Sequence, residues 1–116
     1  PVIFPSTIKN ADCCFMKCYN YNYPIRLYNV LSCNSLLNGS QEFNSPIYFN
    51  YVPERSAAWM LGGMHYSACA NYDCSIDFNC DFIVDSPGCF NGCHSFNSEI
   101  NAILKGNCDY FFAHKC

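Results

Sequence analysis

Cysteine is the residue type here best equipped for chemistry, and it stands at 11 of 116 positions. A thiol can close a disulfide, ligate a metal as thiolate, or act as a nucleophile. This density is the usage of a disulfide scaffold in an oxidising compartment. The expectation is that Cys13, Cys14, Cys18, Cys33, Cys69, Cys74, Cys80, Cys89, Cys93 and Cys108 supply the bridges. Cys116 is then the odd cysteine, because a terminal residue is the least constrained. The odd count leaves three readings open: a free thiol, a bridge to a second chain, or some cysteines holding metal. For metal, His65, Cys69, Cys74 and Cys80 could supply four ligands of the kinds that suit zinc. Their spacing is irregular and the chain has no Cys-x2-Cys knuckle, so disulfides are preferred, and no metal or other cofactor is expected.

Other constellations carry less. Asp77-x-Asn79-x-Asp81 opens like a calcium loop, but Phe82 and Gly88 stand where that loop needs Gly and Glu. The solvated face of a strand accounts for it better. Cys93 and His94 are neighbours in sequence only, and no nucleophile signature accompanies them. Asp12-Cys13-Cys14-Phe15-Met16-Lys17-Cys18 resembles the active-site helix of secreted phospholipases A2. Lys17 and Cys18 replace the His-Asp pair which that family places after its double cysteine. A small secreted hydrolase is therefore the weakest reading, and the expectation is a protein that is not an enzyme.

Charge narrows the partners. Six Lys and Arg against nine acids give a net charge of −3 with no basic cluster. Nucleic-acid binding needs cations that neutralise phosphates, so it is not expected. No apolar run reaches the roughly 18 residues of a spanning helix, so membrane insertion is not expected either. The chain starts at Pro1 rather than Met, which reads as a removed signal peptide. With the cysteines, this predicts a secreted, extracellular protein.

The elements that must position these residues read as a single small α+β domain over 1–116. Short helices are predicted at about 7–19, 53–61 and 98–105, from capping residues and apolar positions at helical spacing. Strands are predicted at about 19–23, 47–52 and 76–84; residues 25–33 fit a helix or a strand. In 76–84, Ile76, Phe78, Cys80, Phe82 and Val84 should face inward. Asn38-Gly39-Ser40 is a glycosylation sequon in a turn. No internal repeat is expected, since the cysteines before residue 34 do not superpose on those after 68.

Aromatics exceed what so small a core can hide. Tyr19, Tyr21 and Tyr23, interleaved with Asn, form a candidate partner-binding patch, because rigid amphipathic rings add contact area at low entropic cost. The alternative is that they cap a thin core with their hydroxyls in water.

The acidic, Lys/Arg-poor, Cys-dense, Asn- and Tyr-rich profile resembles the diffusible mating pheromones of Euplotes-type ciliates. Cys13-Cys14 with Cys18, and Cys89 with Cys93, are similar to that family's helical, disulfide-pinned style. The resemblance implies a secreted signal that docks on a cell-surface protein receptor; separately, the odd cysteine or self-association allows a homodimer. Tyr72-x-Cys74 and Phe78-x-Cys80 resemble a motif of small cysteine-rich fungal effectors, which implies a host protein as the alternative partner.

Overall fold

The computed structural model describes residues 2–64 and 67–112. Eight short strands carry the fold: β1 (Val2–Ile3), β2 (Ile25–Leu27), β3 (Ile47–Phe49), β4 (Val52–Ser56), β5 (Ile76–Asp77), β6 (Cys80–Asp85), β7 (Ile100–Asn101) and β8 (Leu104–Asn107). Every strand pair is parallel, in sheets ordered β1-β2-β3, β4-β6-β8 and β5-β7. Parallel neighbours need a long return connection. Here the chain makes that return by winding round once, so successive coils stack into a solenoid.

Hydrogen bonds across the coils fix the register. Ala11, Cys33, Ala57 and Ser86 each donate their backbone N–H to the next coil, at Ser32, Ser56, Asp85 and Asn107. Two residues further on, Cys13, Ser35, Trp59 and Gly88 donate to Asn34, Ala58, Pro87 and Asp109. Phe15, Leu37, Leu61 and Phe90 make the third rung, to Leu36, Met60, Cys89 and Phe111. Between the rungs, Cys14, Met16 and Cys18 bond back to Ala11, Cys13 and Phe15, which makes consecutive tight turns. The same position in every coil adopts left-handed backbone: Cys13, Ser35, Trp59, Gly88 and Tyr110, with φ of 61°, 56°, 55°, 62° and 61°. The repeat is therefore structural and nearly strict, and the expectation of no repeat is corrected.

The same winding corrects the fold class. The described residues contain no helix, so the helices at 7–19, 53–61 and 98–105 are absent and the α+β assignment fails. Residues 11–18 look helical in sequence because bonds back over three residues give a near-helical apolar period. The left-handed Cys13 and Lys17 prevent a continuous helix. Segment 53–61 instead places Val52–Ser56 in β4, paired with β6. Its Gly62 serves close approach, since a Cβ there would collide with the backbone of Gly88 and Asn91. Segment 98–105 pairs Ile100 with Ile76 as β7 and continues into β8. Residues 19–23 are turn and coil rather than a strand. The extended segments at 47–52 and 76–84 are each split in two. In the second, Asn79 at φ 48° turns the corner, and the inward phase passes from Phe78 to Ile83, both fully buried.

Equivalent residues stack along the axis and make the core. Ile25, Ile47 and Ile76 are buried and Ile100 follows them in register. The rings of Tyr21, Phe43, Tyr72 and Phe96 stack within 5° of parallel, with centroids 6.0, 5.6 and 6.1 Å apart. Beside them runs a polar ladder. The Oδ1 of Asn22, Asn44 and Asp73 accepts the backbone N–H of Asn44, Asp73 and Asn97 at 2.7–2.8 Å. A coil alone has no partner for either row, so stability comes from stacking neighbours.

The cysteines take part as small core residues. All ten described cysteines carry unpaired thiols, which overturns the disulfide framework; Cys116 lies outside the described residues. Cys69 and Cys93 occupy the slot of Ser40: Ser40 Oγ donates to Phe15 O at 2.6 Å, Cys69 Sγ to Leu37 O at 3.2 Å, and Cys93 Sγ to Leu61 O at 3.5 Å. Cys33 fills the slot of Ala11 and Ala57, and Cys89 that of Leu36 and Met60. Cysteine suits these places as a compact apolar group with a weak donor. Burial pushes the Cys33 and Cys93 thiols up to about 12 and raises those of Cys69 and Cys89 well above the usual range.

Arg55 sits where the third coil turns from β3 into β4. It is fully buried and donates to carbonyls from three successive coils: Nε to Phe78 O at 3.2 Å, Nη1 to Val30 O, and Nη2 to Asn50 O at 2.9 Å. Its guanidinium lies 4.2 Å from the centroid of the Phe49 ring.

Candidate cleft on the strand face

Alternation along the strands turns one row inward and the next outward. The inward row is nearly uniform: Val2, Ile25, Ile47, Ile76 and Ile100. The outward row changes at each coil: Ile3, Arg26, Tyr48, Asp77 and Asn101. Inward residues share one packing environment, which selects one side-chain shape. Outward residues have no such common demand, and here they assemble mixed chemistry on one surface.

That face is cut by a cleft of about 610 Å³, a size ordinary for a ligand site. It opens where β3 and β5 are neighbours but belong to separate, unbonded sheets. The ladder is intact on either side of the opening. Asp73 N–H donates to Asn44 Oδ1 at 2.8 Å, and Val52 N–H donates to Asn79 O at 3.2 Å. Beneath it, Phe49 and Phe78 still stack at 5.5 Å. The gap is thus a local parting of two coils over a continuous core.

The two walls differ in charge. On one, the Arg26 guanidinium lies over the Tyr48 ring at 4.9 Å, and Tyr48 is 45% exposed. On the other stand the exposed carboxylates of Asp77 and Glu99 with Asn79 and Asn101. Asp77 Oδ1 accepts the Asn79 N–H at 2.8 Å, which holds the left-handed turn at Asn79. Asn79 Nδ2 in turn donates to Phe49 O at 3.0 Å and ties the two walls together. A smaller recess of about 270 Å³, lined by Val2, Ile3, Pro24 and Ile25, lies on the far side of the Arg26–Tyr48 ridge.

The residues singled out from sequence lie elsewhere. Tyr21 points into the aromatic stack, 4.8 Å from Phe15 and 6.0 Å from Phe43, with its hydroxyl buried and unbonded. Tyr19 and Tyr23 are 55% and 61% exposed, and the Tyr23 ring meets Tyr21 edge-on at 5.8 Å, so two exposed rings flank one that points inward. Cys69, Cys74 and Cys80 stand at three different positions around the coil, and His65 lies outside the described residues. Among the described residues no cluster of three metal-ligating side chains forms. Asn38 donates its Nδ2 to Gly62 O at 2.8 Å and Ser40 is fully buried, so the folded sequon is closed to modification.

Sequence reasoning missed Arg26, Tyr48, Glu99 and Asn101 altogether. A signal for their register was present. Tyr21-Asn22, Phe43-Asn44, Tyr72-Asp73 and Phe96-Asn97 are each followed, after two intervening residues, by Ile. That motif places the outward residue immediately after each Ile.

Fold and face together define a short parallel-β solenoid with one structured, chemically varied face. The chain matches no family model, no curated protein and no solved structure.

Proposed function

We propose that this protein is a non-catalytic binding module whose strand face recognises a protein partner. The observation that carries the proposal is the contrast between the two rows. Isoleucine recurs inward, while Arg26, Tyr48, Asp77 and Asn101 differ outward around a cleft. Solenoids present extended surfaces of this kind, and a rigid scaffold lowers the ordering cost of binding. A receptor-docking signal is one member of this class and an effector acting on host proteins is another; both would use such a face.

The test is selection of a random peptide library on the wild-type protein, with counter-selection on an Arg26→Ala/Tyr48→Ala/Asp77→Ala variant of matched urea stability. Binders that require the three side chains support the reading. Recovery of binders indifferent to the variant, or of none, would refute it.

A further inference from the structure

The cleft and the recess lie on one line along the solenoid axis, on opposite sides of the Arg26–Tyr48 ridge. The recess is made by the first three coils and is lined mainly by Val2, Ile3, Pro24 and Ile25, all apolar. The far wall of the cleft is made by the fourth and fifth coils and carries Asp77 and Glu99. Two carboxylates against one guanidinium leave the cleft net negative. Arg26 is held on the Tyr48 ring at the ridge rather than beside the acids.

Resting on the binding-module reading above, we propose that this face takes an extended peptide segment of the partner. A basic side chain lies between Asp77 and Glu99, and an apolar side chain four residues away fills the recess. Coils spaced about 4.8 Å apart place the centres of the two depressions roughly 12 Å from each other. An extended chain rises about 3.3 Å per residue and alternates its faces, so residues four apart span that distance on the same side. The open ladder between β3 and β5 gives the basic side chain its depth. Asn79 and Asn101 add amide groups able to bond the peptide backbone.

Two defined probes test this by calorimetry: acetyl-Leu-Ser-Ser-Ser-Arg-amide and its reverse, acetyl-Arg-Ser-Ser-Ser-Leu-amide, since polarity is free. One of them should bind. Its affinity should fall about fivefold or more in an Asp77→Asn/Glu99→Gln variant and at high salt, as partly screened ion pairs require. Asp77→Asn keeps the oxygen that accepts the Asn79 N–H, so the turn survives. Ile3→Ser should weaken the same peptide without abolishing its salt dependence. Failure of both peptides to bind the wild type, or equal binding to the double variant, would overturn the proposal. If the library selection still returns face-dependent binders lacking a basic residue, the peptide chemistry falls and the binding-module reading stands.

Discussion

Replacing Arg55 by Met probes the least ordinary feature of the core. The side chain is fully buried, and its guanidinium joins Val30, Asn50 and Phe78, one carbonyl from each of three coils. Burial lowers its pKa from the ordinary arginine value, partly offset by the neighbouring Cys33 and Cys80 thiols. Met fills much the same volume but leaves three acceptors dry, each costing about 1–3 kcal/mol. Loss of the Phe49 contact removes up to about 2 kcal/mol more. Against this stands relief of the arginine's own desolvation, several kcal/mol on its own. Three orphaned carbonyls and the lost ring contact, less that relief, leave a net cost of about 3–5 kcal/mol. That is a large share of the ~5–15 kcal/mol holding a domain together. At about 4 °C per kcal/mol, Tm should fall by roughly 12–20 °C. Urea unfolding followed by circular dichroism reads the free energy directly. Arg55→Lys should fall between the two, because a compact ammonium cannot reach three carbonyls set around a planar fork. A Met variant within about 1 kcal/mol of wild type would refute the idea that Arg55 ties the coils together.

Tyr72→Phe should leave stability unchanged or raise it by about 1 kcal/mol, since the Tyr72 hydroxyl is buried without a partner and Phe43 and Phe96 hold the equivalent slots. A loss of that size in urea unfolding would show that the hydroxyl is bonded. Buried thiols make the fold alkali-sensitive. Cys33 and Cys93 remain protonated up to about 12 when folded but ionise near 9 when unfolded, so stability is full below pH 9 and declines between 9 and 12. These two alone should cost roughly 3 kcal/mol by pH 10. An unchanged urea midpoint between pH 8 and pH 10, under reducing conditions, would contradict this. In the native protein a thiol reagent should label the exposed Cys13, Cys14 and Cys108 quickly, and Cys33, Cys69, Cys89 and Cys93 only on unfolding.

The sequence carried the local extended segments better than the way they return to one another. Alternation around Ile76 and Phe78 was visible, because a half-buried strand writes its period into neighbouring residues. The coil was not visible through the cysteines, which fall at unrelated positions of the turn: Cys33 replaces alanine, Cys89 replaces leucine, and Cys69 replaces serine. Helix signals at 7–19 arose from turns that bond back over three residues. What overrides them is the cross-coil ladder, a set of contacts between residues more than twenty apart in sequence. The cleft was illegible for the same reason. Its walls, Tyr48 and Asp77, belong to different coils, and the longest coil separates them.

The rungs on the turned side of each coil have an electrical consequence. From Ala11 to Phe90, each named N–H points toward the later coil and each carbonyl toward the earlier one. Peptide dipoles of about 3.5 D therefore add along the axis, as they do in an α-helix but in the opposite sense relative to the chain. The last coil is the positive pole and the first coil the negative one. Surface charge does not sort by pole: exposed Lys9 and Lys17 share the first coil with Asp12, and Asp109 shares the last with Lys105. The alignment belongs to the turned side alone, since Ser32, Asn50 and Ser56 donate the other way, to Lys9, Leu27 and Leu31.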